Sequence, residues 1–164
     1  MNSYQRLFGS GPRGVFYSVV VFLITVTLKD SAGLPPIINS ELLRYIIFGG
    51  CTLVTILVVI WSLHSLPVED RGEELITSGA FRYFRHPLYA AFVIFFDFGF
   101  AVLLNNWIFI VWAILMIPVW QLTVRYEEKL MLEKFGHAYA DYCDQTWRFF
   151  PKIQNLFTTG DNNG

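Results

Sequence analysis

The sequence predicts an all-α integral membrane bundle of about four transmembrane helices, with a helical C-terminal segment outside the bilayer. Three observations predict it. The chain has 164 residues, of which 54% are hydrophobic and only 15% charged, too apolar for an ordinary soluble domain. The apolar residues fall in blocks long enough to approach the ~20 helical residues that a bilayer core requires. The charged residues collect between and after those blocks. One integral membrane domain, residues 1–164, is the expected organisation.

The first block, 14–28, is the shortest, and Tyr17, Ser18, Thr25 and Thr27 soften it. Lys29 and Asp30 are expected to close it. Pro35-Pro36 marks a loop, and Ser40 before Glu41 is a helix start. Block 42–66 is the strongest span, with Gly49-Gly50 offering a close-packing face to a neighbour. Residues 67–87 form a polar connector. Block 88–104 is the third span, Asn105-Asn106 a tight turn, and 107–124 the fourth span, with Pro118 placed to kink it. Arg125 to Tyr142 then reads as a helix outside the membrane that Gly136 caps or breaks. The tail from Thr158 is polar and expected to fray.

Lysine and arginine counts set the orientation. Arg6 and Arg13 precede the first span, and Arg71, Arg82 and Arg85 lie in the connector. Arg125, Lys129, Lys134, Arg148 and Lys152 follow the last span, while the opposite side holds only Lys29 and Arg44. Both termini and the connector are therefore expected in the cytoplasm. The formal net charge of −1 gives no reason to expect nucleic acid. His64, His86 and His137 are scattered without ligand-like spacing, so no metal site is expected. Cys51 and Cys143 make no disulfide framework.

Two polar clusters fall on the cytoplasmic side. Arg82, Arg85, His86 and Tyr89 stand at the mouth of the third span, where Pro87 disfavours helix at His86 and starts one just beyond it. Arg125, Glu127 and Glu128 follow the last span. Such residues also suit an interfacial loop that greets lipid headgroups and a solvated helix face. Asp97 lies mid-way along the third span, where an ionisable group is either functional or hydrogen-bonded to a neighbouring helix.

Taken together, the blocks resemble a known family. Gly79-Ala80-Phe81-Arg82-Tyr83-Phe84-Arg85-His86-Pro87-Leu88-Tyr89 is followed by a membrane hairpin. Then come Glu127-Glu128, Phe135-Gly136, Tyr139 and Tyr142, and last Arg148-Phe149 with Pro151. This order and spacing, over about half the chain, is similar to the isoprenylcysteine carboxyl methyltransferase family, whose wider kin include phospholipid methyltransferases. Ala80-Phe81, Ala91 and Trp147 depart from the family pattern without touching its charged residues.

The resemblance implies a membrane enzyme that uses S-adenosylmethionine on a lipophilic or lipidated acceptor reached from the membrane lipids. It places Arg85, His86, Tyr89, Glu127, Glu128, Tyr139 and Arg148 at the cofactor, with Glu127 and Glu128 on its amino group or ribose. Methyl transfer to a carboxylate needs no base, because that nucleophile is already ionised. Arg125 is then the candidate to orient the acceptor carboxylate, and Glu128 the base if the acceptor is an amine. An amine N-methyltransferase, a non-catalytic membrane scaffold and a nicotinamide-dependent membrane reductase are the competing readings.

Overall fold

The computed structural model describes residues 10–67 and 73–152. Arg6, Glu69, Asp70, Arg71 and the tail from residue 153 lie outside the described residues. The described chain is α-helical without a strand, and four helices are long and apolar enough to cross a membrane.

Helix α1, Gly11–Ala32, overruns the expected span at both ends. Pro12 sits in its first turn, where a missing N–H costs nothing. Lys29 and Asp30 do not end it, since they are carried exposed on its last turn. Gly33, at φ 58°, ends it instead. Helix α2, Glu41–Ser65, begins as expected, with Ser40 Oγ accepting from the Leu43 N–H at 3.3 Å. Helix α3, Pro87–Leu104, carries a π-helical segment at Ala91–Phe96 that the sequence reading did not anticipate. Asn105, at φ 55°, and Asn106, which caps Ile108, make the predicted turn. Asn105 Oδ1 also accepts from Ile37 and Ile38, tying the α1–α2 loop to this end of the bundle. Helix α4, Trp107–Thr123, runs through Pro118 without interruption.

The helix expected over 125–142 is two helices, α5 at Arg125–Phe135 and α6 at His137–Gln145. Gly136 separates them at φ 53°, backbone that L side chains resist.

Helix α1 packs on α4, α2 on α3, and α3 on α4, while α1 and α2 make no extended contact. The core lies between α3 and α4, with Met116, Val124 and Phe149 fully buried. Gly14 sets the α1–α4 approach: a Cβ there would fall 2.5 Å from the Trp120 ring. Trp120 Nε1 donates to Ser18 Oγ at 3.0 Å across the same contact. Gly49 and Gly50 do not serve as the expected packing face, because among the described residues nothing lies within 4 Å of where a Cβ would stand on either. The close approach on α2 is one residue further on, where Cys51 meets Gly99 of α3.

Candidate functional site

Two distant pieces of backbone are sewn together at one end of the bundle. The chain entering α3 is extended at Phe84, and Trp147 pairs with it in an isolated parallel bridge. The Arg85 N–H donates to Trp147 O at 2.9 Å and the His86 N–H to Arg148 O at 3.0 Å. Tyr142 Oη adds a bond to Phe81 O at 2.6 Å. These contacts bring Arg85 and Arg148 to either side of Glu128 on α5.

Glu128 is buried and clamped. Arg85 Nε reaches its Oε1 at 3.1 Å, and Arg148 holds both oxygens, with Nε at 2.9 and 2.8 Å and Nη2 at 2.5 Å. Burial alone would push this carboxyl up. The Arg148 and Arg85 guanidinium groups, with the His86 ring beside them, outweigh burial and hold it well below the usual carboxylate range, because neighbouring donors and positive charge favour the ionised form. The same pairing raises Arg148 further. Arg85 Nη1 is spent on the carbonyls of Cys143, at 2.9 Å, and Thr146, at 2.5 Å.

Glu127 faces another way. Its Oε1 accepts from Tyr89 Oη at 3.0 Å and from the Ser10 N–H. Its Oε2 lies 3.6 Å from His86 Nδ1. The His86 ring stacks on Tyr89 at 5.7 Å, and Tyr89 leans on Trp120 at 4.7 Å. His86 Nε2 is 3.4 Å from Glu128 but is not aligned for a hydrogen bond, and it is buried without one.

Above these residues opens a cavity of about 1000 Å³. Arg85, His86, Tyr89, Glu127 and Tyr139 line its polar end. Its walls are mostly apolar: α1 and α3 supply much of them, and the last turn of α2 adds Ser62 and Leu63. The connector adds Leu75, Ile76 and Phe81, and α5 adds Leu130 and Met131, so the cavity opens beside the end of the crevice that α1 and α2 leave between them. Asp97 lines it farther along α3.

Of the residues singled out in the sequence, Arg85, His86, Tyr89, Glu127, Glu128 and Arg148 converge, and Tyr139 is buried beside them. Arg125 does not join them. It is exposed at the start of α5 and does not line the cavity. Glu128 stands in a place unsuited to a base, since two guanidinium groups hold its charge. Arg82 is not among the cavity residues, and His64 is exposed. Sequence reasoning did not single out Trp120, which lines the cavity. The nearest signal was Gly14, the small residue that the indole lies against.

A carboxylate that can accept, a guanidinium and a wall of aromatic rings suit a ligand with ammonium or hydroxyl donors, a carboxylate and a soft cation. No curated protein matches the chain. The model of the isoprenylcysteine carboxyl methyltransferase family matches residues 41–133, the greater part of the chain and the stretch that carries α2, α3, α4 and Glu127-Glu128.

Proposed function

The chain belongs to the isoprenylcysteine carboxyl methyltransferase family, and from that premise we propose that it transfers a methyl group from S-adenosylmethionine to a lipophilic acceptor taken from the bilayer. One observation carries the reading. The cavity is polar where Glu127, His86 and Arg85 meet it and mostly apolar beyond, apart from Ser18, Ser62 and Asp97. A water-borne cofactor and a membrane-dissolved acceptor can reach such a space from opposite ends. Access for the acceptor is between α1 and α2, across the face of α3, where the two helices leave each other unpacked. The polar end faces the cytoplasm on the strength of the lysine and arginine asymmetry.

The donor set fits the cofactor. Glu127 accepts from its ammonium or ribose hydroxyls. Arg85 Nη2, which the bonds to Glu128, Cys143 and Thr146 leave aside, takes its carboxylate. Tyr89 and Trp120 present ring faces to a cation. Bound there, S-adenosylmethionine supplies a methyl group activated by positively charged sulfur. The protein contributes alignment and exclusion of water.

A carboxylate acceptor is favoured over an amine. An amine must lose a proton, and Glu128, the base the sequence suggested, is locked to Arg85 and Arg148, while Glu127 already accepts from Tyr89 and the Ser10 N–H. An ionised carboxylate needs no such partner. Glu128 is therefore a positioning residue that fixes Arg85 and the C-terminal segment around the pocket.

The test is methyl transfer from labelled cofactor to a farnesylcysteine analogue, a phosphatidylethanolamine and short-chain versions of both. Each CH₂ withdrawn from water is worth ~0.8 kcal/mol, so long acceptors should be turned over in preference to short ones, and the carboxyl compound in preference to the amine. Equal turnover of long and short acceptors would remove the lateral route.

A further inference from the structure

The mechanism above makes no use of Asp97, yet the structure builds a place for it. Asp97 lines the cavity in the middle of α3. Among the described residues it has no hydrogen-bond or ion-pair partner. An ionisable group at that depth in a membrane is costly unless something meets it.

Its direction is set by the π segment. Eight residues of regular α-helix at about 100° each would carry Asp97 about 80° round α3 from Tyr89. The widened turns at Ala91–Phe96 turn less per residue, and so bring Asp97 back toward the face that Tyr89 presents to the cavity. Helix α2 holds this shape from behind. The buried Thr55 hydroxyl, bonded to Cys51 O at 2.8 Å, also lies 3.3 Å from Ala91 O, and Cys51 sits against Gly99. Tyr89 and Asp97 are thus two polar points on one cavity wall, separated along the helix by at most about 12 Å, the rise of eight regular helical residues. Between them the α3 wall is Phe92 and Phe96.

We propose that Asp97 is a specificity-determining residue that accepts a hydrogen bond from a hydroxyl or amine carried on the acceptor's apolar tail. The inference rests on the methyltransferase reading and narrows its substrate. A plain isoprenoid or alkyl tail would lay hydrocarbon against Asp97 and leave it unpaired. A tail with a donor part-way along would meet it while the reacting end stays near Tyr89.

Dicyclohexylcarbodiimide, an apolar reagent for membrane-embedded carboxyl groups, reads this out without knowledge of the natural acceptor. The full-length protein in lipid nanodiscs is treated with it, and the adduct at Asp97 is timed by peptide mass spectrometry. Two matched long-chain esters serve as competitors, methyl 12-hydroxyoctadecanoate and methyl octadecanoate. The hydroxylated ester should slow labelling of Asp97 about tenfold more than its plain partner, the factor that one net hydrogen bond supplies. Equal protection by the two esters overturns the proposal, and so does failure of Asp97 to react when no ester is present. Titration of the same preparation with S-adenosylhomocysteine separates the two claims. Binding retained with no discrimination between esters ends this inference alone, whereas absence of binding ends the methyltransferase reading.

Discussion

Arg148 grips both carboxylate oxygens of Glu128 from a segment 20 residues further along the chain, at 2.5 to 2.9 Å. The pair joins α5 to the strand-like stretch that borders His86. Removing one partner of a buried pair leaves the other unmatched and typically costs about 3–5 kcal/mol. Because Arg148 is partly exposed, the lower end of that range is expected for Arg148→Ala, and more for Glu128→Gln, which takes the charged partner from Arg85 as well. Thermal unfolding in detergent measures both. A change within error for Glu128→Gln would show that the clamp is dispensable.

The same clamp predicts acid sensitivity. The folded-state pKa of Glu128 is depressed, so its contribution is complete above the ordinary glutamate value of about 4.3. It is lost as pH falls from there through the lower folded value. Wild-type melting temperature should drop below about pH 5, and Glu128→Gln should flatten that part of the profile. Parallel profiles would place the acid-sensitive group elsewhere.

Glu127→Gln should behave differently from Glu128→Gln. Glu127 faces the cavity, so its loss should weaken S-adenosylhomocysteine binding by about 1.5–3 kcal/mol, the worth of a hydrogen bond to a charged group, with a smaller effect on unfolding. Isothermal titration of the two variants separates a ligand contact from a positioning role. Identical losses of binding and of stability in both variants would erase the distinction.

Gly14→Leu should loosen α1 from α4. The Cβ position lies 2.5 Å from the Trp120 ring, and overpacking of a tight contact costs about 1–3 kcal/mol. Trp120 emission should shift along with the loss of stability. Unchanged emission and stability would mean that α1 packs elsewhere in the membrane.

Cysteine-accessibility labelling tests orientation. Single cysteines at Ser78 and Asp144 should label from the cytoplasmic side, and one at Ser31 from the other. Labelling of Ser31 and Ser78 from one side would overturn both the topology and the two-ended cavity.

Hydropathy made the four long apolar helices legible, and turn chemistry made Ser40, Asn105 and Asn106 legible, because these depend on neighbours in sequence. The polar residues of the site were legible as types and spacings. Their division of labour was not. Glu127 and Glu128 look equivalent side by side, yet successive helix positions point about 100° apart. One therefore meets the cavity and the other the C-terminal segment. Arg125 was expected to orient the acceptor carboxylate as the arginine directly after the last span, yet it is exposed and does not line the cavity. Arg148 was expected at the pocket, but its reach to Glu128 through the bridge between Phe84 and Trp147 was not, because no local pattern encodes a join of that length. The π segment on α3 was hidden for another reason: Ala91–Phe96 is uniformly apolar and carries no sign of a widened turn.

The account stands most directly on whether the polar end of the cavity takes S-adenosylmethionine and its product. Calorimetric titration of the detergent-purified protein with S-adenosylhomocysteine, with NADPH as control, measures it. The account predicts saturable binding of S-adenosylhomocysteine at one site, weakened in Glu127→Gln, and no heat from NADPH. Binding of NADPH without S-adenosylhomocysteine, or of neither by a folded protein, would contradict it.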